Sequence, residues 1–100
     1  MDEEEDRRLR AIAPEISHVT IGLMRTTVGL EPAERVPEEA LAVADAVLAK
    51  HGTDGLRVLV MSLAGWTAVG IETIAQLSRK TSEAVIDDIE LTCLEANAEG

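Results

Sequence analysis

Apolar positions along the chain recur with helical rather than strand spacing. Leu9, Ile12, Ile16, Val19, Leu23, Thr26 and Leu30 step alternately by three and four residues, the stripe of one helical face. Local propensity opposes that reading. Pro14, Gly22, Gly29 and a cluster of β-branched residues from 19 to 28 are poor interior choices, and Pro14 suits the first turn of a helix best. A strand over 18–24, with Val19, Ile21 and Leu23 on one face, competes; the helix is preferred because the stripe is longer than the alternation.

The pattern over 37–51 predicts a helix most clearly. Pro37 fits a first helical position, Glu38 and Glu39 face the positive end of the dipole, and Lys50 and His51 suit the negative end. Leu41, Ala44, Val47 and Leu48 form the expected inner face, and Gly52 supplies a stop. Thr53 or Asp54 can cap the apolar segment that follows, as far as Leu77. A single helix over 55–79 would be about 37 Å long, longer than a compact domain of this size is wide, so a bend or break is expected near Gly65 or Gly70. Residues 56–63 could instead form a buried strand. Thr81 can cap a last helix over 82–97, with Val85, Ile86, Ile89, Cys93 and Ala96 inside and an acid-rich outer face.

These elements predict an all-α fold, a compact bundle of about four to five helices, with an α+β fold carrying strands near 18–24 and 56–63 as the alternative. The expected organisation is a flexible acidic N-terminus over 1–8, a single helical domain over 9–97, and a short tail over 98–100. One hundred residues suffice for one core and leave a thin margin, so part of that core could come from a second subunit. The apolar set contains no Phe or Tyr and one Trp, which allows close helix approach but buries little area per side chain.

Charge narrows the functional classes. Nineteen acidic residues against nine basic give a net charge of −10, a field that repels phosphate backbones and anionic membrane surfaces. With Trp66 as the sole aromatic, base-stacking platforms are missing too. No nucleic acid and no membrane are therefore expected among the partners. The chain opens on Asp2-Glu3-Glu4-Glu5-Asp6, the opposite of a signal-peptide start. The longest uncharged run, 58–71, is shorter than the roughly 20 residues of a spanning helix. A single cysteine fits a reducing cytoplasm, and the excess of Arg over Lys with abundant Ala is compatible with a bacterial source.

Candidate chemistry adds little. Glu15 and His18 have the spacing of a carboxylate–imidazole metal pair, but one such pair recurs by chance and no metal site is assigned. Residues 73–89 resemble a helix-turn-helix in outline only, since Glu83, Asp87, Asp88 and Glu90 would face the phosphates. Gly65 and Gly70 lack the Lys and hydroxyl of a phosphate loop, and with Ser62, Ala64 and Ala68 they read as a small-residue surface for close helix packing. Gly22 and Gly29 could serve the same purpose from the first helix. Trp66 and Cys93 are expected in the core, and Glu72 is expected to face outward. No catalytic constellation or cofactor motif can be assembled around His18 or His51.

The sequence thus favours a non-enzymatic helical interaction or regulatory module, self-associating with a dimer preferred, and presenting an acidic surface to a basic protein. Interface or pocket candidates are Leu23, Met24, Ser62, Gly65, Trp66, Val69 and Gly70; the acidic face comprises Glu83, Asp87, Asp88, Glu90 and Glu95. Two of those acids, Glu90 and Glu95, lie toward the unfavourable end of the helix dipole, a local cost that a basic partner would offset. The alternatives are a small apolar-ligand binding protein, with a pocket around Ser62, Trp66 and Met24, and an acidic nucleic-acid mimic acting as an inhibitor.

Overall fold

A computed structural model describes residues 2–99, so Met1 and Gly100, the outer ends of the two predicted tails, lie outside the described residues. The chain forms α1 (Glu3–Thr27), α2 (Arg35–Ser78) and α3 (Ser82–Glu99), with no strand among the described residues. The class is all-α. The helices number three rather than four to five, and both candidate strands are helical. The contacts divide the chain into two compact units, Met1–Ala64 and Gly65–Gly100.

The β-branched cluster in α1 is helical although local propensity opposes it: the face carrying Ile16, Val19 and Thr20 is buried or packed against the core, and tertiary packing outweighs the propensity cost. Thr20, Thr26 and Thr27 each donate to the carbonyl four residues back, on Ile16, Gly22 and Leu23. Pro14 sits inside α1, not in its first turn. The helix begins earlier than the frayed end expected over 1–8: Asp2 caps it by accepting from the Glu5 N–H at 2.7 Å, and Glu3, Glu4, Glu5 and Asp6 occupy the first turn, where the dipole favours acids. At the other end, residues 98 and 99 continue α3 and do not form a tail.

Within α2 the one non-helical residue is Gly52, at φ 68° and ψ −156°, a conformation that favours glycine. It separates residues 35–51 from residues 53–78. The break expected at Gly65 or Gly70 is missing, and the helix runs through both. An isolated glycine costs a helix only about 1 kcal/mol against alanine, which good helix formers nearby can offset. A helix of that length need not break for lack of room, because the contacts do not form one compact body but separate between Ala64 and Gly65.

In the first unit, Leu9 and Ile16 of α1 meet Val47, Val58 and Leu59 of α2 in one buried cluster. Ile12, Ala13, Val19, Val43, Leu56 and Leu63 pack against it. Three helical stretches on two sides of Gly52 and in α1 therefore share this core. Of the residues expected inside, Val47 is buried while Leu41 and Leu48 are exposed, and Val43 packs on the core in their place. In the second unit, the end of α2 and α3 form a hairpin through residues 79–81. Arg79 takes a left-handed conformation (φ 57°), the Lys80 N–H bonds the Ala75 carbonyl at 2.9 Å, and the Thr81 hydroxyl caps α3 by accepting from Ala84 N–H.

Candidate functional site

Two places gather polar side chains in the first unit. At one, Arg57 Nη2 lies 2.5 Å from Glu5 Oε1 and its Nη1 lies 3.5 Å from Asp54, while Arg8 Nε donates to Asp54 Oδ2 at 3.1 Å. The acidic start of α1 is thus fastened to α2. At the other, Glu15 of α1 accepts from both Lys50 Nζ and His51 Nε2 of α2. Those two donors, Lys50 foremost, hold the Glu15 carboxyl below the ordinary glutamate range. His51 pairs across the helices with Glu15, and His18, the partner suggested by spacing, is exposed. Among the described residues no group of three or more His, Cys, Asp or Glu could hold a metal ion.

A cavity of about 250 Å³ opens beside this cluster, lined by Ile16, Val19, Val43, Ala46 and Val47 with Glu15, Lys50 and His51 at its polar side. It offers no hydroxyl or thiol to activate, and the imidazole edge facing α1 is occupied by Glu15. Ser62 and Met24, the sequence candidates for a pocket, are half-buried elsewhere. The Thr20 and Ser62 hydroxyls lie 2.9 Å apart, and Thr20 is fully buried. Leu23 is half-buried on α1.

The remaining sequence candidates fall in the second unit, and they are exposed. Trp66, expected in the core, is 41% exposed, and Cys93 is exposed as well. A side-chain carbon added at Gly22, Gly65 or Gly70 would meet nothing within 4 Å, so these glycines do not serve close packing inside the chain. Among the described residues the glycine that does is Gly55, which no spacing in the sequence marks. Of the apolar side chains in this unit only Ala75 and Val85 are buried. Ile86 and Ile89, assigned inward on α3, are exposed, as are Val69, Ile74 and Leu77. A shallow groove of about 300 Å³ runs between the two helices past Ile74, Val85, Ile89 and Thr92. The acids Glu83, Asp87, Asp88, Glu90 and Glu95 are all exposed on α3, and Lys80 bridges to Asp88 at 3.1 Å.

α2 contains an 18-residue stretch apolar and long enough to cross a membrane by length and composition, and only 17% of that stretch is buried. Core helices of water-soluble proteins meet the same criterion when packed. No family model, curated protein or solved structure matches the chain.

Proposed function

We propose that this chain is a non-enzymatic helical interaction module that self-associates through its second unit and offers the acidic face of α3 to a basic protein partner. The observation that supports this reading most is the apolar surface of residues 65–99. A two-helix hairpin that buries only Ala75 and Val85 leaves most of its large aliphatic side chains and its Trp in water. Exposed apolar surface of that extent is characteristic of an interaction site. The acids of α3 border it, as a polar rim borders an interface core.

Sedimentation equilibrium of the full chain between about 1 and 100 μM, a range that registers a dimer of micromolar affinity or tighter, tests the first half. A monomer–dimer equilibrium is expected; a monomer throughout that range contradicts it. The second half is read by titrating a lysine-rich peptide into the wild type and into a variant with Glu83, Asp87, Asp88, Glu90 and Glu95 changed to their amides. Weaker, less salt-dependent binding by the variant is the expected result, and equal binding rejects the acidic face. Flotation with zwitterionic lipid vesicles covers the remaining occupant of an apolar surface. Partition of the chain into vesicles in preference to dimerisation would overturn the module reading.

A further inference from the structure

We infer that the cavity between α1 and the first stretch of α2 is a binding site for a small carboxylic acid with a short aliphatic tail. The inference stands apart from the association reading, because every residue lining this cavity lies in the first unit. Its floor is fixed by the core. Ile16 and Val47 belong to the buried cluster, and Val19 and Val43 pack against it. Ala46 lines the same cavity from an exposed position. A dry aliphatic wall with a few convergent polar groups at one edge is the usual make-up of a small-molecule site.

The polar edge selects the headgroup. Lys50 Nζ and His51 Nε2 converge on one carboxylate, that of Glu15. The same two donors, Lys50 foremost, hold the Glu15 carboxyl below the ordinary glutamate range, so the edge already stabilises a group of this kind. Lys50 has three N–H donors, of which the bond to Glu15 uses one. The Glu15 side chain is 42% exposed and can turn into water, so a ligand carboxylate competes with it for both donors. A cationic headgroup finds no such place, because each Glu15 oxygen is already engaged and Lys50 repels it.

Volume limits the tail. The cavity measures about 250 Å³, against roughly 150 Å³ for an apolar cavity that holds benzene. The same filling gives about ten non-hydrogen atoms, and about eight once the open side is left to solvent. A six-carbon acid has that size. Its tail would lie on Val19 and Val43 with its carboxylate at Lys50. The net charge of −10 opposes an anion at long range, but at about 0.15 M salt such fields are screened beyond about 8 Å. The local donors then decide the outcome.

Sodium hexanoate and hexan-1-ol, titrated into the full chain at about 0.15 M salt and followed by amide NMR shifts at Val19, Val43 and Val47, test this. Hexanoate is expected to bind with a Kd of about 1 mM, the affinity open to a ligand of this size. It should bind about threefold more tightly than the alcohol, the ratio that one exposed ion pair supplies. K50Q is expected to remove that preference. E15Q is expected to raise hexanoate affinity about threefold by taking away the competing carboxylate. A46L, which fills the cavity from an exposed position, is expected to abolish binding of both, with circular dichroism to verify that each variant keeps its helicity. Shifts confined to residues 65–99, binding undiminished in A46L, or no shift at about 10 mM hexanoate overturns the site. Equal binding of acid and alcohol, a preference that survives K50Q, or hexanoate affinity not raised by E15Q overturns the carboxylate assignment.

Discussion

Gly55 shows how one residue depends on a neighbour that is not helical. An added Cβ there would stand 2.7 Å from His51 Cβ, 2.8 Å from Val47 Cγ1 and 3.2 Å from the Val47 carbonyl. The crowding arises at the break in α2 beside Gly52, where the chain brings the end of residues 35–51 against the start of residues 53–78. Gly55→Ala is therefore expected to destabilise the first unit by about 1–3 kcal/mol, the usual cost of overpacking, although alanine is the better helix former. Gly65→Ala, with open space around it, is expected to raise stability by up to about 1 kcal/mol. Urea midpoints of the two variants should move in opposite directions, and a common direction would refute the assignment. Composition alone could not separate these glycines. The cluster of small residues around Gly65 resembles a packing surface, whereas the crowding at Gly55 exists only after the backbone turns at Gly52.

At the scale of helices, the docking of α1 on α2 is partly electrostatic and therefore titrates. The Glu15 carboxyl is held low first by the Lys50 hydrogen bond and then by that of His51. A carboxyl whose folded-state value is depressed adds stability that is fully present above its unfolded value, about 4.3, and is lost as pH falls through the lower folded value. Wild-type and Glu15→Gln chains are accordingly expected to differ in urea stability at pH 6 and to converge toward pH 3. A constant difference across that range would exclude the mechanism. Pro14 offers a second check on α1. Inside a helix it forfeits one backbone hydrogen bond and crowds the carbonyl four residues back. Pro14→Ala is expected to stabilise α1 by about 1–3 kcal/mol in thermal unfolding; no gain would mean that the proline is compensated locally.

Much of the element level was legible in the sequence. The stripe through Leu9, Ile12, Ile16 and Val19 does face the first-unit core, and Gly52 marks a departure from helical backbone. Along 37–51 Val47 does face inward, whereas Leu41 and Leu48 do not, because periodicity finds apolar residues without saying which a neighbouring helix covers. The same limit put Trp66, Cys93, Ile86 and Ile89 in a core. Hydrophobicity marks what should leave water, and in residues 65–99 that burial is not achieved within the chain.

For the whole molecule, the two units are expected to differ in how their stability depends on concentration. The first unit has its own buried cluster, whereas the second leaves most of its apolar side chains exposed and, on the self-association proposed above, would gain burial from a partner. Amide hydrogen exchange should then show protection around Val69 and Ile89 rising with protein concentration, while amides near Ile16 and Val58 stay unchanged. Uniform behaviour across the chain would contradict the division.

The contact between Thr20 and Ser62 bears on uniqueness of structure rather than on its stability. The first-unit core is made of aliphatic side chains with no ring to give it a distinctive shape, and such cores tolerate axial slippage because one branched residue fills another's place nearly as well. The Thr20 hydroxyl, at 0% exposure, keeps its Ile16 carbonyl partner wherever α1 sits. Sliding α1 by one turn would replace its second partner, the Ser62 hydroxyl, with hydrocarbon, a loss that favours the native register. The pair thus acts as an alignment pin, as a lone buried asparagine does in a coiled coil. Replacing both residues by aliphatic ones of similar size should leave unfolding free energy within about 1 kcal/mol of the original. The amide spectrum should nevertheless divide into several sets of resonances, each from α1 seated at a different height.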